Sequence, residues 1–174
     1  VGVDNIDLKA AQEHHVTVVN AAVATTLAVA ELTIGFMFCL AREIPRADAS
    51  MKAGQWIKKE LEGSELFGKT LGILGFGNIG KTVGKYASAI GMKVIAFDPY
   101  REPASIAAQG AESVSFEELL KRSDIITIHA PLNDQDRHLI SDEAFSKMKD
   151  GVLIVDAARG GILDEEALLR ALQS

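Results

Sequence analysis

The sequence predicts an α/β fold, a mostly parallel and doubly wound sheet, and three observations carry that prediction. Short apolar runs alternate with helical stretches from Thr70 to the end of the chain. A glycine-rich turn, GFGNIG at 75–80, stands where the first run meets its helix. An acid, Asp98, closes the second run 18 residues after Gly80. Strands joined through helical crossovers pair in parallel, because each crossover carries the chain back to the end of the sheet from which it started.

Each element has its own signal. TLGILG (70–75), the helical NIGKTVGKYASAIG ending at Gly91, and KVIAF (93–97) make a βαβ unit. Pro103 suits the first turn of a helix that stops at Gly110. A short strand follows around Glu112 to Val114, and Ser115 with Glu118 three residues later forms a capping box for a helix running to Arg122. The strand DIITIHA (124–130), a helix capped by Ser141, the strand GVLIVD (151–156) and a helix capped by Asp164 complete five strands alternating with five helices. Residues 1–67 break this rhythm. VGVDNID resembles the tail of a strand followed by a helix start, and a strand is expected at VTVVN (16–20). One long helical pattern then runs from about Thr26 towards Ala53, and Pro45 is expected to kink or split it. Val1 without an initiator methionine, and a last helix with no further strand to cover, suggest truncation at both ends.

The bulk composition sets limits on partners. At 174 residues, with 48% hydrophobic and 24% charged residues, one domain with one core is expected. A net charge of −6 argues against a general nucleic-acid or anionic-membrane binder, so any positive site must be local. Cys39 is the only cysteine, so no intrachain disulfide is possible, and its neighbours FMFCLA make it a small buried hydrophobe. The most apolar window, 26–41, is shorter than the ~20 residues that span a bilayer and contains Glu31, which makes it a core or interface helix. Without a signal-peptide pattern, a cytoplasmic setting is expected. Neither repeats nor a metal-ligand spacing are evident.

In GFGNIG, Gly75 can make the tight turn, Gly77 can let a pyrophosphate approach the backbone, and Gly80 can let helix and strand pack closely, as in a Rossmann-type unit. The amides of Asn78 and Ile79 would face the phosphates with the helix dipole behind them. Asp98 has the spacing of the acid that holds an adenine ribose, and a carboxylate there disfavours the extra phosphate of NADP, so NAD is the expected cofactor; Arg101 leaves some dual use open. Plainer readings stand beside these: a merely tight βα turn, and a solvated acid opening the turn DPY. In LIVDAARGG (153–161), Arg159 at the mouth of an apolar strand is costly unless an anion meets it. That anion is Asp156, Asp164 or a ligand.

Taken together, GFGNIG, FDPY, IHAPL and VDAARGGILDEEAL resemble the D-isomer-specific 2-hydroxyacid dehydrogenases, nearest to the members that oxidise D-3-phosphoglycerate to 3-phosphohydroxypyruvate in serine biosynthesis. The resemblance covers the whole chain, including VGVDNID, VAELTIGFMFCLAREIPRADASMKAGQW and ELFGKTLGILGFGNIG. It implies that Arg159 grips the substrate carboxylate beside the nicotinamide, and that Ala157, Ala158, Ala130 and Pro131 line the nicotinamide half of the site. It places Val1 at a cofactor-contacting position. It implies that residues 1–25 are the tail of the substrate-binding domain and a hinge, and residues 26–174 an NAD-binding domain lacking its C-terminal part. Within the latter, 26–67 form a helix and arm and 68–174 the βα units. The apolar stretch 26–41, with Phe36, Met37, Phe38 and Leu40, and the Trp56-bearing arm are expected to pair two copies as a homodimer.

Two departures stand out. Asn20 to Thr25 read NAAVAT where family members often carry NxPGxN, and Asp156 replaces the usual asparagine before the ARG motif. The family's acid–base histidine and its paired glutamate lie after the ARGG helix and have no counterpart here, so the chain is expected to bind cofactor without turnover. Of the four histidines, His14 and His15 fall at an early helix end, His138 in a polar loop, and His129 at a strand end as a packing and positioning residue. The same chemistry on glyoxylate, hydroxypyruvate or another small 2-hydroxy acid is the alternative, and a non-catalytic NAD(H)-binding interaction module is the alternative of another class.

Overall fold

The computed structural model describes residues 2–3, 5–21, 23–131 and 137–174. Five parallel strands, β1 (Thr70–Leu74), β2 (Lys93–Phe97), β3 (Glu112–Ser113), β4 (Ile125–Ile128) and β5 (Leu153–Asp156), lie in the order β3-β2-β1-β4-β5. The crossovers carry α4 (Asn78–Ala89), α5 (Pro103–Ala107), α6 (Phe116–Arg122) and α7 (Asp142–Phe145), and α8 (Glu165–Gln173) follows β5. The chain winds outward from β1 to β3 and then returns to the other side of β1. The resulting switch between β1 and β4 is where open α/β sheets bind ligands.

Both faces of the sheet are covered, which is why the strands read as continuous apolar runs rather than alternating ones. Leu71, Ile73, Ile125 and Val155 pack with Val83 of α4 and Met37 on one side. Leu74, Ile126 and Ile128 pack with Leu119 and Ile162 on the other. The opposite end of the sheet from the switch is pinned by Asp124, whose carboxylate accepts the Thr70 N–H at 2.8 Å and meets Lys149 Nζ at 2.8 Å. Burial pushes that carboxyl up, but these partners outweigh it and its pKa is lowered.

The N-terminal part holds α1 (Leu8–Glu13), α2 (Thr26–Ala41), α3 (Ile44–Lys52) and a 3-10 turn at Lys58–Glu60. The strand expected at 16–20 does not form. Val16 N–H closes the end of α1 on Ala11 O instead, and Val16 and Val19 are exposed, because among the described residues no neighbouring strand offers a ladder to this segment. Asp7 caps α1, as the VGVDNID stretch suggests. The long helical pattern does split, one turn ahead of the expected place. Glu43 turns left-handed (φ +49°) between α2 and α3, and Pro45 takes its place in the first turn of α3. Ser141 stands at the start of α7, but its hydroxyl makes no cap bond, whereas Ser115 and Asp164 cap α6 and α8 through their side chains.

Two expectations about α2 need correction. Met37 is fully buried, in a stripe with Ala30, Thr33 and Ala41, while Leu32, Phe36, Phe38 and Leu40 remain exposed. Cys39 is only partly buried. A helix apolar on every side gives no sequence signal for which face the core takes. Among the described residues, no helix is long and apolar enough to cross a membrane.

Candidate cofactor and substrate site

The parallel register brings four loops to one edge. Leu74 lies beside both Phe97 and Ile128, and Ile128 lies beside Asp156. The segments that leave these strands therefore emerge together: the glycine turn 75–80, Asp98, His129 to Pro131, and the 157–161 loop.

The three motif glycines have three different physical reasons. Gly75 turns at φ +89°, donating its N–H to Phe97 O at 2.9 Å, and a Cβ there would stand 2.7 Å from Ala130 N. A Cβ on Gly80 would stand 2.2 Å from Gly75 O, so the close approach of α4 to β1 requires glycine. Gly77 is different. It begins α4, and a Cβ there would meet no protein atom within 4 Å. Its bare backbone faces open space at the N-terminus of a twelve-residue helix, whose first-turn amides at Asn78 and Ile79 lack intrahelical partners. That cradle fits a pyrophosphate.

Asp98 is fixed by the same turn. Its Oδ2 accepts the Phe76 N–H at 2.8 Å and its Oδ1 the Tyr100 N–H at 2.9 Å. Each carboxylate oxygen retains a lone pair, so the residue can serve the turn and a ribose hydroxyl together. The sequence pattern raises the expectation of a ribose role but gives no sign of the first of these bonds.

Beyond β4, His129 N–H continues the ladder to Leu74 O at 2.8 Å, Ala130 lies partly buried against Gly75, and Pro131 is exposed. The His129 ring is another matter. Burial lowers its pKa to about 4, and neither ring nitrogen finds a hydrogen-bond partner among the described residues. It is neutral at physiological pH and unsuited to carrying a proton to and from a substrate.

The loop after β5 carries Arg159, which is exposed, with Ala157 and Ala158 partly buried before it. Arg159 Nη1 donates to Ala158 O at 3.1 Å, and Ala158 N–H donates to Asp156 Oδ1 at 2.9 Å. Asp164 is engaged in capping: its Oδ1 accepts the Glu166 and Ala167 N–H groups, and its Oδ2 lies 3.5 Å from His138 Nδ1. Downstream, the loop is stitched to the 138–140 segment through His138 N–H to Gly161 O (2.7 Å) and Ile140 N–H to Ile162 O (3.1 Å). Desolvation raises the pKa of Asp156, partly offset by the Ala158 N–H, although the outer edge of the residue is open to solvent. Val1, also expected to contact cofactor, lies outside the described residues.

A glycine turn at the topological switch, with an acid closing the neighbouring strand, defines a dinucleotide-binding domain. Residues 34–174 match the family model of the D-isomer specific 2-hydroxyacid dehydrogenase NAD binding domain, and the chain belongs to that family. It is 49% identical over 174 residues to the hydroxypyruvate reductase of Thermotoga maritima, covering 100% of this chain and 56% of that protein. It is also 49% identical over 174 residues to the D-3-phosphoglycerate dehydrogenase of Methanocaldococcus jannaschii, covering 99% of this chain and 33% of the relative. The structure of D-lactate dehydrogenase from Aquifex aeolicus complexed with NAD and lactic acid superposes with a TM-score of 0.88 at 35% identity, covering 99% of this chain and 52% of that one. The chain thus spans between a third and a little over half of these relatives, and its residues 34–174 match the family's NAD-binding domain.

Proposed function

We propose that this chain holds NAD for the oxidation of a D-2-hydroxy acid to its 2-oxo acid, or the reverse reduction, with D-3-phosphoglycerate as the leading substrate. The observation that carries the reading is the emergence of Arg159 at the same sheet edge as the glycine turn and the Ala130–Pro131 turn. NAD supplies the hydride acceptor. Gly75, Gly77, Asn78, Ile79 and Gly80 cradle its pyrophosphate, and Asp98 takes the ribose hydroxyls. Ala130, Pro131, Ala157 and Ala158 line the nicotinamide half. The guanidinium of Arg159 binds the substrate carboxylate through its planar fork and fixes the approach of the reacting carbon. By the resemblance, proton exchange at the substrate oxygen falls to a histidine–glutamate pair beyond Ser174, consistent with a His129 that burial keeps neutral.

Residues 1–25 then belong to a hinge and the tail of a substrate-binding domain, and 26–174 to the cofactor domain. The face of α2 left uncovered, with Phe36 at 45% and Leu40 at 45% exposure, together with Trp56 at 75%, supports a homodimer through residues 26–67. The single cysteine is in keeping with a cytoplasmic setting.

Reduction of hydroxypyruvate or glyoxylate is the second reading, favoured by the equal identity to the Thermotoga maritima enzyme. Steady-state kinetics of the full-length protein carrying this chain decide between them. The leading reading expects NAD-dependent oxidation of D-3-phosphoglycerate at a higher kcat/KM than D-glycerate. The second expects hydroxypyruvate or glyoxylate to be preferred. NADH binding without oxidoreduction of any of these acids would leave only an NAD(H)-binding module.

A further inference from the structure

We infer that Asp156 is a positioning residue that aims Arg159 through the backbone of Ala158. The inference rests on the reading of Arg159 as the carboxylate ligand. Both backbone polar groups of Ala158 are in use: its N–H is held by Asp156 Oδ1 at 2.9 Å, and its carbonyl receives Arg159 Nη1 at 3.1 Å. The two groups lie in successive peptide planes that meet at the Ala158 Cα, so by holding the first plane the side chain of Asp156 fixes the point from which the carbonyl touched by the guanidinium is hung.

The rest of the loop needs such a tether. Residues 157–161 form no helix or strand, and Gly160 and Gly161 follow the arginine, Gly161 turning at φ +94°. The backbone bonds of the 138–140 segment meet the loop at Gly161 and Ile162, on the far side of Arg159. On the near side the last sheet position is Asp156 itself, paired with Ile128. Asp156 is thus the last residue anchored in the sheet before the loop, and its side chain reaches forward two residues to fix the turn. The carboxyl keeps this place even though its surroundings disfavour its charge. Only an acceptor oxygen is needed for the task, so aspartate and the asparagine usual in the family are equivalent here. The departure noted in the sequence preserves the device.

The test compares Asp156→Ala, which removes the acceptor, with Asp156→Asn, which keeps it, in the full-length protein. The readouts are KM for the preferred 2-oxo or 2-hydroxy acid, kcat, and the NADH Kd from fluorescence titration. Loss of one aiming hydrogen bond is expected to raise KM about tenfold in Asp156→Ala, with NADH Kd within about twofold of the parent. Asp156→Asn is expected to restore KM to within about twofold of the parent. Against an Arg159→Ala background, Asp156→Ala is expected to add no further rise, because its target is gone. An unchanged KM in Asp156→Ala overturns the inference, as does an equal defect in Asp156→Asn, or a KM rise that persists in the Arg159→Ala background. An unchanged KM in Arg159→Ala alone refutes the reading of Arg159 instead.

Discussion

Replacing Asp98 by alanine tests the adenosine half of the site, and the structure separates two consequences. The first is local. The carboxylate holds the Phe76 and Tyr100 N–H groups at 2.8 and 2.9 Å, so its loss loosens the glycine turn itself. Hydrogen bonds to a charged acceptor contribute about 1.5–3 kcal/mol each, and Asp98 is only half-buried, so a stability loss of about 2 kcal/mol is expected. The second is the loss of the ribose bonds, worth about 1.5–3 kcal/mol, or roughly 10- to 150-fold in NADH Kd. Loosening the turn weakens NADH and NADPH alike and cancels in their ratio. The ribose bonds and the repulsion of a 2′-phosphate do not cancel, so the ratio of the two Kd values is expected to move towards NADPH by about tenfold or more. Fluorescence titration with both cofactors, with thermal unfolding alongside, reads all three quantities. A fall in Tm accompanied by an equal factor of loss for the two cofactors would show that Asp98 serves the turn alone.

The motif glycines make opposite predictions. Gly80→Ala is expected to destabilise the fold by about 1–3 kcal/mol, since its Cβ meets Gly75 O at 2.2 Å, whereas Gly77→Ala is expected to leave Tm nearly unchanged and weaken NADH about tenfold or more; denaturant unfolding and NADH titration on both variants check the contrast. The folded-state pKa of His129, about 4, lies below its ordinary 6.5, so the unfolded chain binds the extra proton first and stability is lost as pH falls from about 6.5 to 4. The loss is on the order of 3 kcal/mol at its limit, and His129→Gln is expected to flatten this part of the stability–pH curve; an NMR titration showing a His129 pKa near 6.5 would remove the argument. Sedimentation at micromolar concentration is expected to show a dimer that Phe36→Glu with Leu40→Glu converts to monomer; a parent chain that stays monomeric would refute the proposed interface.

The βα half of the fold was legible because each element carries its own punctuation. Pro103 opens a helix that Gly110 closes, Gly91 ends another, both glycines at positive φ, and Ser115 and Asp164 cap through their side chains. The glycine turn was legible for the same local reason. What was hidden depends on partners distant in the chain. VTVVN alternates like a strand but has no strand beside it among the described residues, and α2 is apolar all round, so Met37 could not be told from Phe36. The bond from Phe76 N–H to Asp98 spans 22 positions, and the stitch from His138 to Gly161 joins two loops that share no motif. The Asp156 tether is local, and an acid two residues before a small-residue turn is a pattern for backbone capture that sequence reasoning could have used.

Arg159→Lys in the full-length protein tests the central claim most directly. Lysine keeps the positive charge but loses the planar fork, so a residue that both binds and orients a carboxylate must lose both functions in part. The expected result is a KM for the acid substrate raised about tenfold, a lowered kcat, and an NADH Kd within about twofold of the parent. A KM unchanged by the substitution would contradict the account, because the arginine at the end of β5 would then have no carboxylate to hold.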